Sequence, residues 1–319
     1  MSVTGDLTVS VIDKPGGADS PLLQEAMDKV RLKRLLPTEV DNLDPETEII
    51  LIRGGFWSDL PKLLRLAPRL KWIHINMAGV EHLDRSFLAD KGVALTNAAG
   101  VLDRAIAEFA LGAALVWTKG LHRSVLHTQS RQWKEREPLL NSGLRALIIG
   151  AGGIGTKCAE MLKSAGFGSV TGIRQSPQKL PPVFDDRFEL RDLQQKVREF
   201  DIVISSLPAT NTTSSVLNES VFGNFKESMV LVNVGRGTTV DHHHLAKALR
   251  ERPDSLAVLD VSAPEPLPPE HPLWKCSNVI LSPHMAGETR ERHDNYSRLF
   301  LENLSRYSQG LPLRNQVLI

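Results

Sequence analysis

The stretch Leu147-Ile148-Ile149-Gly150-Ala151-Gly152-Gly153-Ile154-Gly155 decides the fold. An apolar run closes on a glycine, and two more glycines follow at the spacing G-x-G-x-x-G, which reads as a strand, a tight turn and the start of a helix. Gly150 permits the turn, Gly152 lets main chain approach a pyrophosphate closely, and Gly155 lets the helix pack against the strand. The N–H groups and partial positive charge at the helix start favour an anion. Gly150, Gly152, Gly153, Ile154 and Gly155 are therefore expected to hold the phosphates of a dinucleotide. Glycine clusters also cap plain turns, so the argument rests on context: this run lies inside a βαβ series.

That series continues on both sides. After the loop, strands are predicted at Val170–Ile173, Ile202–Ser205, Met229–Asn233, Leu256–Leu259 and Val279–Leu281, with Ala146–Ile149 leading into the loop. Helices fit Ile154–Ser164, Leu193–Glu199 and Asp241–Arg250. Before it, strands are predicted at Val9–Ile12, Ile49–Ile52, Leu70–Ile75 and Val93–Thr96, with helices at Pro21–Leu36, Ser58–Leu66 and Leu83–Ala89. Strands separated by helical patterns imply parallel sheets, and continuous apolar strands imply burial on both faces. One long helix is expected from Leu102 to about Gln129, rich in alanine and buried between domains or subunits. Glu288–Gln309 reads as a closing helix that returns to the first domain. The fold class is α/β: two Rossmann-like domains, each a parallel sheet flanked by helices.

The end of the strand after the loop bears on cofactor choice. An acidic residue about 20 residues beyond the glycines binds the ribose hydroxyls of NAD. Here Arg174 stands 19 residues after Gly155, followed by Gln175 and Ser176, and no carboxylate adjoins it. A guanidinium and a hydroxyl suit a 2′-phosphate. NADP(H) is expected in preference to NAD(H), with NAD(H) use left open.

Composition narrows the alternatives. A chain of 319 residues is long enough for two domains. A net charge of +1, from 38 basic and 37 acidic residues without like-charge blocks, points to neither nucleic acid nor a membrane surface as partner. Two cysteines, Cys158 and Cys276, suggest a reducing compartment rather than a disulfide framework. No signal-like segment and no run of ~18 apolar residues is seen, so a cytoplasmic location is expected.

Three segments beyond the loop each follow a predicted strand: Val232-Asn233-Val234-Gly235-Arg236-Gly237, then Leu259-Asp260-Val261-Ser262-Ala263-Pro264-Glu265-Pro266, then Leu281-Ser282-Pro283-His284-Met285-Ala286-Gly287. Ligands bind at strand C-terminal ends in doubly wound sheets. An arginine, a glutamate and a histidine arriving there in this order form an acid–base set. With Asn97-Ala98-Ala99-Gly100-Val101, Ala107-Glu108 and Met77-Ala78-Gly79-Val80, they make the chain resemble the D-isomer-specific 2-hydroxyacid dehydrogenase family over nearly its whole length. The run Glu265-Pro266-Leu267-Pro268-Pro269-Glu270-His271-Pro272-Leu273-Trp274 resembles the glyoxylate/hydroxypyruvate reductases within it.

The resemblance implies a flavodoxin-like, discontinuous substrate domain of residues 1–98 and 288–319 and a doubly wound dinucleotide-binding domain of residues 99–287, with a hinge between them. It implies that His284 acts as general acid and base, that Glu265 orients it, and that Arg236 holds the substrate carboxylate. Leu207, Pro208, Val234, Gly235, Asp260, Ala286 and Gly287 are expected to complete the cofactor site. Ala78 and Gly79 are expected to bind the substrate carboxylate through their N–H groups, with Arg53, Gly54, Trp57, Met77 and Met285 shaping the pocket. The implied reaction is reduction of a small 2-oxo acid to the D-2-hydroxy acid, in a homodimer formed through the long helix. An alternative of the same fold is a cofactor-sensing transcriptional corepressor with little turnover. No metal is expected: adjacent histidines on a helix, as in His242-His243-His244, point in different directions. Cys158 reads as packing, and Trp133 as a pocket wall, a partner-subunit contact or a plain surface residue.

Overall fold

A computed structural model describes residues 7–13, 20–27, 30–54, 59–80, 83–84, 86–135, 137–174 and 179–317. The chain divides into two compact units, residues 1–101 with 289–319, and residues 102–288.

The first unit contains β1 (Thr8–Asp13), α1 (Pro21–Met27), β2 (Arg31–Leu35), β3 (Ile49–Arg53), α2 (Leu60–Leu66), β4 (Trp72–Ile75), α3 (Ser86–Lys91) and β5 (Ala94–Asn97). Its strands are all parallel in the order β2-β1-β3-β4-β5, the flavodoxin arrangement. The predicted helix over Pro21–Leu36 is corrected: it ends at Met27, and Arg31–Leu35 forms the edge strand β2. Arg31, Lys33 and Arg34 remain exposed there, as suits an edge that must resist further pairing.

The second unit contains α4 (Asp103–Thr118), α5 (Leu121–Gln129), β6 (Arg145–Ile149), α6 (Gly153–Ser164), β7 (Ser169–Ile173), β8 (Asp186–Phe188), α7 (Leu193–Lys196), β9 (Ile202–Ser205), α8 (Glu219–Gly223), β10 (Val230–Asn233), α9 (His242–Glu251), β11 (Leu256–Leu259) and β12 (Val279–Leu281). Helix α10 (Arg292–Ser308) belongs to the first unit, where Phe300 stacks on Trp72 with ring centres 5.3 Å apart. The second sheet is parallel throughout, in the order β12-β11-β10-β9-β6-β7-β8. The chain leaves β6 toward β7 and β8, then returns to place β9 on the other side of β6. That reversal is a topological switch point, where such sheets bind ligands.

Two further expectations are corrected. The long helix is two helices, because Gly120 adopts φ +66° and breaks the run between Thr118 and Leu121. Its alanine face is also buried inside the second unit: Ala107, Ala110, Ala113, Ala114 and Trp117 share one apolar core with Cys158, Ala159 and Leu162 of α6. Small side chains let the two helices approach closely. Strand β8 and helix α8 were not foreseen. β8 has three residues and only Phe188 buried, while Asn218 caps α8 by accepting from the N–H groups of Ser220 and Val221.

Candidate active site

The glycine loop lies at the C-terminal end of β6. Gly150 turns the chain at φ +100°, and Gly155 leaves no room for a side chain, since a Cβ there would sit 2.2 Å from the Gly150 carbonyl oxygen. Gly152 is extended, precedes α6, and would have open space around an added Cβ. No side chain caps the start of α6, so the main-chain N–H groups of Gly153 and Ile154 remain for an external anion. This uncapped cradle at the switch point fits a dinucleotide pyrophosphate.

The remaining expected cofactor residues occupy successive strand ends of the same sheet. Arg174 directly follows β7, half-buried, while Gln175 and Ser176 lie outside the described residues. Leu207 is buried and Pro208 exposed after β9. Val234 and Gly235 follow β10, and the Leu207 loop packs so closely on Gly235 that a Cβ there would meet the Leu207 carbonyl oxygen at 2.6 Å. Ala286 is buried and Gly287 half-buried beyond β12.

Asp260 follows β11, is buried, and holds the loop after β12. Its Oδ1 accepts from Ser282 Oγ at 2.7 Å and from the Met285 N–H at 2.8 Å, and its Oδ2 accepts from the Ala286 N–H at 3.0 Å. Asp260 is among the residues expected at the cofactor site. The structure shows a clamp on the segment that carries His284.

The three residues of the acid–base set come from three loops of this edge. His284 sits at φ +54°, an uncommon region for a side-chain-bearing residue, with its N–H donating to the Asp260 and Ser282 carbonyls at 2.9 and 3.0 Å. Its Nδ1 lies 2.9 Å from Glu265 Oε2, and Glu265 Oε1 accepts from the Ser262 N–H at 3.0 Å. A carboxylate only accepts, so the Nδ1 proton points at Glu265 and Nε2 is left as the working nitrogen. Arg236 is half-buried between β10 and the 3₁₀ turn Gly237–Thr239, with Nη1 donating to the Gly235 carbonyl at 2.9 Å. Its loop is braced by Asn233, which accepts from the Gly235 N–H and donates to the Arg236 carbonyl. The loop that carries Arg236 meets the Glu265 loop at Ser262, which packs so tightly on Gly237 that a Cβ there would lie 2.0 Å from the Ser262 carbonyl carbon. A cavity of about 580 Å³ opens beside Glu265 and His284, walled by Leu259, Leu267, Trp274 and Leu281. Arg236 does not line it.

The expected substrate residues of the first unit gather at the C-terminal edge of its own sheet. Arg53 ends β3, buried, with Nη1 2.9 Å from Asp13 Oδ2 at the end of β1. Gly54 follows at φ +97°, and Trp57 lies outside the described residues. Met77 and Gly79 are half-buried and Ala78 exposed, and Asn97 Nδ2 donates to the Ala78 carbonyl at 2.7 Å. Met285, in the second unit, is exposed. Asp13, Asn97, Asn233 and Ser262 were not singled out from the sequence. Asp13, Asn97 and Asn233 each carried one signal, as a polar residue ending an apolar strand.

The discounted residues go to separate surroundings. His242 is buried, the His243 ring lies 4.6 Å from that of His271, and His244 Nδ1 is 2.7 Å from Asp241 Oδ2. Cys158 is buried within α6, and burial pushes its thiol up to about 12. Trp133 is 97% exposed.

The profile of the family described as D-isomer specific 2-hydroxyacid dehydrogenase, NAD binding domain, matches residues 111–286. The chain belongs to the D-isomer specific 2-hydroxyacid dehydrogenase family. A glyoxylate reductase of Aeropyrum pernix is 33% identical to this dehydrogenase over 257 residues, covering 78% of this chain and 76% of its own. A glyoxylate reductase/hydroxypyruvate reductase of Mus musculus is 30% identical, covering 76% of each chain. Among solved structures, a D-isomer specific 2-hydroxyacid dehydrogenase of Xanthobacter autotrophicus Py2, in complex with NADPH and MES, superposes with a TM-score of 0.80 at 26% identity, covering 97% of this chain and 98% of its own. The dehydrogenase is thus an oxidoreductase that uses a nicotinamide cofactor to interconvert 2-oxo and 2-hydroxy acids. Among the described residues no helix is long and apolar enough to cross a membrane.

Proposed function

We propose that this dehydrogenase reduces a small 2-oxo acid to the D-2-hydroxy acid with NADPH, His284 acting as the general acid. The observation that carries this reading is the contact of His284 Nδ1 with Glu265 Oε2 at 2.9 Å, on strand ends that share a sheet with the glycine loop. A dinucleotide held by its pyrophosphate at that loop would supply the hydride for the carbonyl carbon. His284 gives the Nε2 proton to the carbonyl oxygen, and takes it back in the reverse direction. Glu265 holds the imidazole in one tautomer and stabilises the imidazolium before the proton is given. Arg236 binds the substrate carboxylate and polarises the carbonyl with a charge that does not titrate.

The preference for NADPH rests on Arg174 at the end of β7, where no carboxylate stands to bind a ribose 2′-hydroxyl. The NADPH complex of the Xanthobacter relative supports it. Glyoxylate and hydroxypyruvate are the first substrates to test, following the names of the reductases it resembles. The homodimer is supported by apolar side chains left in solvent on α5 and the segment after it: Leu121, Val125, Leu126, Trp133 and Leu140.

The deciding measurement is oxidation of NADPH and of NADH by the purified protein against glyoxylate, hydroxypyruvate, pyruvate and branched 2-oxo acids. Turnover with NADPH and one preferred acid is expected. Turnover with NADH alone overturns the cofactor preference. Nucleotide binding without turnover on any acid overturns the enzymatic reading in favour of a cofactor sensor.

A further inference from the structure

The start of α6 is approached by a negative charge of the protein's own. Asp103, the first residue of α4, lies so close to Gly153, the first residue of α6, that a Cβ on Gly153 would sit 2.2 Å from Asp103 Oδ2. The glycine at this loop position therefore makes room for a carboxylate as well as for a ligand. Asp103 is half-buried, and among the described residues its carboxylate accepts no hydrogen bond. The charged group facing it from α6 is Lys157; the other titratable neighbour is the buried thiol of Cys158. On its own helix, Arg104 is already engaged by Glu108 at 2.9 Å and is exposed. A half-buried carboxylate with one cation nearby thus stands against the same uncapped turn that the glycine loop offers to phosphate.

We propose that Asp103 couples dinucleotide binding to the uptake of one proton. This rests on the reading of the glycine loop as the pyrophosphate site. A pyrophosphate brings negative charge to the first turn of α6, and a like charge within ~4–6 Å disfavours the ionised form of a carboxyl group. Asp103 starts from a raised position, because burial holds its pKa above the ordinary carboxylate value and Lys157 only partly offsets this. Bound nucleotide raises it again. Between the free and the bound value, binding takes a proton from solvent, so affinity falls as pH rises through that window. Linkage sets the slope at up to about tenfold in Kd per pH unit for one proton. The neutral carboxyl group gains an O–H, which turns a repelling neighbour of the phosphate into a hydrogen-bond donor.

ADP-ribose is the probe of choice, since it carries the pyrophosphate without a nicotinamide near His284 and without a titrating 2′-phosphate. Its affinity for the full chain is measured by calorimetry from about pH 4 to about pH 8, in two buffers of different ionisation enthalpy, a range that runs upward from the ordinary carboxylate value. For the wild-type protein, Kd is expected to rise about tenfold across that range with proton uptake visible in the buffer dependence. Asp103→Asn is expected to bind about tenfold more tightly at the alkaline end, with a flat pH profile and no proton uptake. Asp103→Ser serves if the asparagine variant does not fold. As a second readout free of nucleotide, either variant is expected to melt at a higher temperature than wild type near neutral pH. Equal affinities and equal pH slopes for wild type and variant overturn the proposal and leave the dinucleotide site standing. Absence of binding by both overturns the pyrophosphate site and the proposal with it.

Discussion

His284 reaches Glu265 across 2.9 Å from a backbone held at φ +54°. The strained residue and its partner are fixed from opposite sides: the Asp260 and Ser282 carbonyls hold the histidine main chain, and the Ser262 N–H holds the far oxygen of Glu265. Such strain persists where surrounding contacts over-determine it, and it sits here on the proposed proton donor. His284→Ala is expected to lower kcat about 10²–10⁴-fold, the usual contribution of general acid catalysis, with nucleotide affinity little changed. Glu265→Gln keeps the shape but removes the charge opposite Nδ1, and is expected to lower kcat about 10²-fold. Stopped-flow turnover together with nucleotide titration checks both. A His284→Ala protein with normal kcat removes the mechanism.

Asp260 is expected to matter through the loop it holds. Its two oxygens take the Ser282 hydroxyl and the N–H groups of Met285 and Ala286, all beside His284. Asp260→Ala leaves the buried Ala286 N–H without a partner, at about 1–3 kcal/mol, and frees the part-buried Met285 N–H. The expected outcome is a lowered melting temperature and a fall in kcat larger than the rise in KM, since the misplaced group is the acid rather than a binding contact. Asp260→Asn, which can still accept but carries no charge, is expected to recover part of the stability. Equal stability of Asp260→Ala and wild type in urea contradicts the clamp.

Two buried histidines give stability a predicted pH dependence. His74 in β4 is fully buried, and burial lowers it from 6.5 to about 4. Trp72 Nε1 donates to Thr96 Oγ1 at 2.8 Å, and the same hydroxyl lies 2.7 Å from His74 Nδ1. His242 at the start of α9 is lowered from 6.5 to about 4, first by burial and then by His271. The unfolded chain binds protons that these folded sites refuse, so stability is complete above pH 6.5 and drains as pH falls toward about 4. Each histidine accounts for about 3 kcal/mol over that interval. Urea unfolding of wild type, His74→Leu and His242→Leu across this range checks it. Each variant is expected to lose less stability on acidification than wild type, and parallel curves refute the assignment.

Much of this was legible in the sequence, and the parts that were not share physical reasons. The glycine loop and the segments around Arg236, Glu265 and His284 could be read because each depends on local spacing after an apolar strand. Strand β2 was read as helix because Arg31-Leu32-Lys33-Arg34-Leu35 has too few apolar positions to fix a period, and its strand state comes from pairing with β1. The break at Gly120 was missed because one glycine inside a helical pattern is tolerated until its φ is known. Asp13, Asp103 and Ser262 act on residues 40, 50 and 3 positions away, respectively Arg53, Gly153 and Glu265, and two of those contacts exist only once the sheets are assembled.

Arg174 gives the most direct test of cofactor choice. It follows β7, and β7 neighbours β6, so it shares the edge of the glycine loop. A guanidinium bound to a 2′-phosphate makes charge-assisted hydrogen bonds of about 1.5–3 kcal/mol, which is roughly 10–100-fold in affinity. Arg174→Ala is therefore expected to raise KM for NADPH by about that factor and to change KM for NADH by less than about threefold, because NADH has no phosphate to lose contact with. Arg174→Asp adds the carboxylate that ribose hydroxyls prefer and is expected to reverse the preference toward NADH. Losses that are equal for the two cofactors place Arg174 against the adenine, which both carry. No loss for either places it outside the site and moves the NADPH preference to some other residue.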